Sequence, residues 1–272
     1  MSQTILIPTD FSRVCSNALN HGAELARSIG AQLFVLHVIN DDSLSFLKKN
    51  KYSEAYIEQQ LEDRKKELEE FYQINVHTIK KRGKLIPNIV KAAEELNADL
   101  VVLGTHGKTG IQKITGSHAM KVIYALDIPV LVVQKRTFGM GYKKIVFPIN
   151  VSTDYNAKID WTIFIAKTFN SHVSIFTMKT DNNKVRHAME KLTEKIQQTF
   201  DAHQISHSID RATKNSGFAE QINNFAAAES ADIIMIKFDN DEFEPSFILG
   251  ALEEKMIFNS AHIPVFCAQK KD

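Results

Sequence analysis

Gly104, Gly107, Gly110 and Gly116 follow the apolar run Leu100-Val101-Val102-Leu103 and lead directly to Ser117. A buried strand opening into glycines exposes backbone N–H groups that no side chain shields. Beyond the glycines, Ala119, Val122, Ile123 and Leu126 recur at helical spacing. Strand, glycine loop and helix N-terminus together suit an anion, because the N–H groups and the helix dipole both favour negative charge. The chemistry predicted is phosphate binding, and a glycine-rich βα turn that binds nothing is the other reading. The spacing is neither a Walker A loop, which needs an earlier glycine before Gly107-Lys108, nor the Gly-x-Gly-x-x-Gly of dinucleotide sites.

Little else in the chain carries chemistry. His106 and His118 flank the loop and could assist proton transfer, but no Ser-His-Asp order, His-Glu-x-x-His motif or carboxylate cluster accompanies them. Any hydrolysis of a bound phosphate compound is expected to be slow and incidental. The ten histidines are scattered, so no protein-built metal site is expected. Cys15 and Cys267 read as buried thiols rather than a disulfide.

The elements that position the loop follow from the apolar pattern. Ile5-Leu6-Ile7 forms a strand ending in Pro8-Thr9-Asp10-Phe11-Ser12, where Asp10 or Ser12 can cap a helix that Gly30 stops. Residues 32–39 form a second strand, followed by a polar stretch. A helix over about 53–72, a strand over 74–79 and a helix through Ile86, Ile89, Val90, Ala93 and Leu96 lead to the loop strand, and Ile128 to Val133 closes the half. Lys80-Lys81-Arg82-Gly83-Lys84 reads as a strand-end loop of solvated cations. The order βαβαβαβαβ implies a doubly wound parallel sheet with helices on both faces and ligands beyond the carboxyl ends of its strands. Pro8, Thr9, Asp10, Val38 and the Gly104 loop all follow strands and can converge there.

The pattern restarts after Gly139. Ile145 to Asn150 echoes Ile5 to Asp10, Asp232 to Ile236 echoes Asp99 to Leu103, and His262 to Phe266 echoes Asp127 to Leu131. The chain thus reads as an α/β duplication, with domains 1–137 and 143–272. The second copy has Lys237-Phe238-Asp239-Asn240 where the first has Gly104-Thr105-His106-Gly107, acidic residues through Glu244, and Asn150 in place of Asp10. Side chains and negative charge there oppose a polyphosphate.

The 272 residues carry a net charge of +1, which demands neither a nucleic acid nor a membrane as partner. The first residues lack a basic segment followed by an apolar signal core, so a cytoplasmic protein is expected.

Ile7-Pro8-Thr9-Asp10-Phe11-Ser12, Leu36-His37-Val38, Ala98 to Gly107, Gly116-Ser117 and Ile128 to Val133 together resemble the universal stress protein family in its tandem, two-domain form. The resemblance implies two Rossmann-like domains of the adenine nucleotide alpha hydrolase type. They would pair through their last strands as an intramolecular pseudo-dimer, with a further homodimer possible. It also implies a stress-response sensor or regulator that binds ATP, ADP or AMP with Mg²⁺ in the first domain only. Gly104, Gly107, Gly116 and Ser117 would then hold the phosphates, with Thr105 and His106 among the nucleotide-binding residues of the same loop and His118 and Ala119 at the helix start. Pro8, Thr9, Asp10 and Val38 would border adenine and ribose. Eight residues separate Gly107 from Gly116, one fewer than the nine of the family pattern. The competing expectation is a stress protein without nucleotide, a scaffold whose Asp239 to Glu244 segment meets an unknown protein partner.

Overall fold

The computed structural model describes residues 3–105, 116–150, 155–238 and 254–269, with the backbone alone at 116–118. His106, Gly107 and the acidic segment Asp239 to Glu244 lie outside the described residues, as do the side chains of Ser117 and His118. The chain divides into two compact units, residues 1–138 and 139–272.

The first unit runs β1 (Thr4–Pro8), α1 (Arg13–Ile29), β2 (Gln32–Ile39), α2 (Asp41–Asn50), α3 (Ala55–Tyr72), β3 (Val76–Arg82), α4 (Leu85–Glu95), β4 (Leu100–Gly104), α5 (Gly116–Ala125) and β5 (Val130–Val133). Its strands are parallel in the order β3-β2-β1-β4-β5. The central strands β1 and β4 are buried along their whole length, as their continuous apolar runs require of a sheet covered on both faces.

The second unit runs β6 (Lys144–Ile149), α6 (Asn156–Phe169), β7 (His172–Thr177), α7 (Asn183–Ala202), β8 (Ser206–Arg211), α8 (Phe218–Ala228), β9 (Ile233–Phe238) and β10 (Val265–Gln269). Its order, β10-β9-β6-β7-β8, repeats that of the first unit. Matched contacts recur as well. Asp99 ahead of β4 accepts the Thr4 N–H at 2.9 Å, and Asp232 ahead of β9 accepts the Lys144 N–H at 3.0 Å. Gly30 ends α1 in the left-handed region, where Asn170 ends α6.

Several expectations need correction. Residues 41–50 form a helix rather than a polar connection: the Asn40 side chain accepts the Ser43 N–H, Asp41 and Asp42 occupy the first turn, and Lys48 and Lys49 the last. The third strand covers 76–82 rather than 74–79, so Lys80, Lys81 and Arg82 lie on it and not in a loop. They pair with Glu58, Glu95 and Glu54 respectively, which neutralises the basic cluster. Both cysteines are free and buried. Among the described residues no helix is long and apolar enough to cross a membrane.

Candidate nucleotide site

The sheet order changes direction at β1 and β4, the crevice where open parallel sheets bind ligands. Leu6 pairs with Val101 across these strands, and Asp10 and Thr105 each stand four residues further on. The two segments singled out by residue type therefore leave adjacent strands side by side.

The first segment is held rigidly. Thr9 donates its N–H to the Leu36 carbonyl at 2.8 Å, and its Oγ1 accepts the Phe11 N–H at 3.1 Å. Asp10, 1 % exposed, accepts the Ser12 N–H on Oδ1 at 2.8 Å. Phe11 has φ 62°, a left-handed conformation unusual for an aromatic residue and held by the contacts on either side. Ser12 then caps α1, accepting the Cys15 N–H at 3.2 Å. Asp10 thus braces the loop, and Ser12 is the cap.

His37 fastens this loop from β2. A carbonyl only accepts, so Nδ1 carries the proton it donates to the Thr9 oxygen at 2.8 Å, and Nε2 meets Ser43 Oγ of α2 at 3.3 Å. Phe11 stacks on the imidazole with centroids 4.7 Å apart. Burial pushes the His37 pKa down, against the opposing pull of the Thr9 carbonyl and the Asp10 charge. Pro8 pairs with Leu36 on β2, and Val38 is buried close to the end of that strand. The sequence offered one signal for His37, a polar residue inside an apolar strand.

Gly104 has a structural reason to be glycine. A Cβ there would lie 3.0 Å from both the Cys15 Cα and the Val14 carbonyl oxygen, so β4 packs directly against the backbone of α1. Thr105, fully buried, donates its N–H to the Val133 oxygen at 2.9 Å. Gly116 opens α5, which places a helix N-terminus in this unit, and Ala119 is buried in it. The Cys15 thiol is pushed well above its ordinary pKa by burial and then by the neighbouring Asp10 charge, which favours the protonated thiol. Among the described residues no three His, Cys, Asp or Glu side chains group as a metal site.

The second unit is built differently at the same place. Asn150 stands where Asp10 stands, and its backbone N–H and side-chain Oδ1 both engage the Tyr155 hydroxyl, at 2.9 and 2.6 Å.

A parallel five-stranded sheet with a braced acidic turn and a glycine-bearing strand end at its switch point defines a Rossmann-like fold class. A family model described as the universal stress protein family matches residues 1–134. Universal stress protein MJ0531 of Methanocaldococcus jannaschii is 34 % identical over 138 residues, covering 48 % of this chain and 81 % of the relative. Universal stress protein A homolog 1 of Coxiella burnetii is 33 % identical over 141 residues, covering 47 % and 94 %. The crystal structure of a universal stress protein from Archaeoglobus fulgidus shares the fold with a TM-score of 0.79 and 19 % identity, covering 100 % of both chains. The chain belongs to the universal stress protein family.

Proposed function

We propose that the first unit binds ATP or a related adenine nucleotide, with Mg²⁺ on its phosphates, and that the protein acts as a nucleotide-responsive regulator in the stress response. The observation that carries this reading is the placement of Asp10 and Thr105 at equal distance beyond the paired residues Leu6 and Val101, at the switch point of the sheet. The residues suit the group. A carboxylate held rigidly at a strand end can accept from ribose hydroxyls, and the N-terminus of α5 favours phosphate. Gly104, Thr105, His106, Gly107, Gly116 and Ser117 would hold the phosphates, and the metal would supply positive charge that offsets theirs.

The second unit, in this reading, takes no polyphosphate in the same mode, because Asn150 is occupied by Tyr155 and Lys237 fills the position of Gly104. Equilibrium dialysis of the full chain against ATP, GTP and CTP with Mg²⁺ tests the proposal. Saturable uptake of ATP in preference to the others supports it, and no uptake, or uptake indifferent to the base, contradicts it.

A further inference from the structure

Lys158 is the most deeply buried cation among the described residues of the second unit. It sits in the first turn of α6 with 2 % exposure, and its Nζ donates to the Pro148 carbonyl at the end of β6. The ammonium lies 3.9 Å from the centroid of the Phe147 ring and 5.1 Å from that of Tyr155. An ammonium has three donors, and one carbonyl and two ring faces do not replace the water it has lost. Among the described residues no carboxylate pairs with Lys158, and the charge that acts on it is that of Lys237, a second cation.

The place matters as much as the charge. Lys158 stands ten residues after Pro148, as Ala18 stands ten after Pro8, and Lys237 stands five after Asp232, as Gly104 stands five after Asp99. Two amines therefore replace an alanine and a glycine where β6 and β9 run side by side, the switch point of this unit. The helix N-terminus has retreated too. α1 begins five residues after Pro8, whereas α6 begins eight after Pro148. The second unit has gained cations at this edge.

We propose that Lys158 and Lys237 form a subsite for one small oxyanion of the phosphate-monoester type at the carboxyl edge of β6 and β9. A single compact anion supplies the counter-charge that no carboxylate among the described residues gives Lys158, and it occupies far less space than a polyphosphate chain. Burial and the Lys237 charge also push the Lys158 amine well below the usual lysine range, as befits a cation short of a counter-charge. The subsite is independent of nucleotide binding in the first unit.

The test is a calorimetric titration of inorganic phosphate into the full chain, beside Lys158→Met, Lys237→Met and the exposed-site control Lys184→Met. Methionine keeps the length and apolar stem of lysine, and replacing a buried charge by an apolar group of similar volume is compatible with folding. Circular dichroism confirms that each variant is folded, and Lys237→Met carries the test if Lys158→Met is not. The expected result is one saturable phosphate site, weakened by about tenfold or more in Lys158→Met and Lys237→Met and unchanged in Lys184→Met. Absence of saturable binding to the unaltered chain, or equal affinity in all folded variants, overturns the proposal.

Discussion

Gly104 at the end of β4 and Cys15 in the first turn of α1 approach so closely that a Cβ on the glycine would sit 3.0 Å from the Cys15 Cα. Both sides of this contact are backbone, so no side-chain rotation can relieve it. Gly104→Ala is therefore expected to destabilise the first unit by about 1–3 kcal/mol through overpacking. Urea denaturation of the two proteins measures this, and an unchanged midpoint would show that α1 can move aside.

Asp10 combines a structural and a binding role that two substitutions separate. Asp10→Asn keeps an oxygen for the Ser12 N–H but removes the charge, and is expected to weaken ATP binding about tenfold with little change in stability. Asp10→Ala also strands a buried N–H, adding a stability loss of ~1–3 kcal/mol. Thermal unfolding beside ligand titration distinguishes the two. Equal stability of both variants would remove the bracing role.

His21 on α1 makes folding sensitive to acid. Its Nε2 donates to the Arg136 carbonyl at 3.2 Å, its ring meets Phe138 edge-on, and burial lowers its pKa from 6.5 to about 4. Between those values the unfolded chain takes up a proton that the folded chain does not. Stability is therefore unaffected by this group above pH 6.5 and falls as the pH drops toward 4, by up to ~1.4 kcal/mol per pH unit. His37 shifts in the same direction. His21→Gln, which retains a donor for Arg136, is expected to flatten the acid limb of the stability profile. An identical slope in the variant would place the acid sensitivity elsewhere.

The ion-paired face of β3 should be silent in binding. Lys80 and Arg82 are already engaged with Glu58 and Glu54 on the face covered by α3. Lys80→Gln and Arg82→Gln are expected to leave ATP affinity unchanged in the same titration, and a marked loss would assign phosphate contacts to this strand.

The apolar pattern was enough for most of the sheet because β1, β2, β4, β6 and β9 are mostly apolar runs, interrupted by His37 in β2 and Lys237 in β9, the pattern that burial on both faces demands. Edge elements were less legible. β8 is a half-exposed strand of Ser206, His207, Ser208, Ile209, Asp210 and Arg211 with little apolar content, and α2 buries only Ser43 and Leu47. Its signature was in the Asn40 cap and the charges at its two ends instead. At the candidate site, Asp10 and Thr105 were visible as residues after apolar strands. The packing demand on Gly104 was not, because its cause is Cys15, which lies far away in sequence. Lys158 was hidden for the same reason: a lysine among the polar residues of a helix start gives no sign that it turns inward to Pro148.

The central claim is a single adenine-nucleotide site in the first unit, anchored at Asp10. Its most direct test is calorimetric titration of ATP with Mg²⁺ into the full chain and into Asp10→Asn. The account predicts one ATP bound per chain, with affinity reduced in the variant while the fold is retained. Two equivalent sites per chain, no saturable binding, or identical affinity in Asp10→Asn would contradict it.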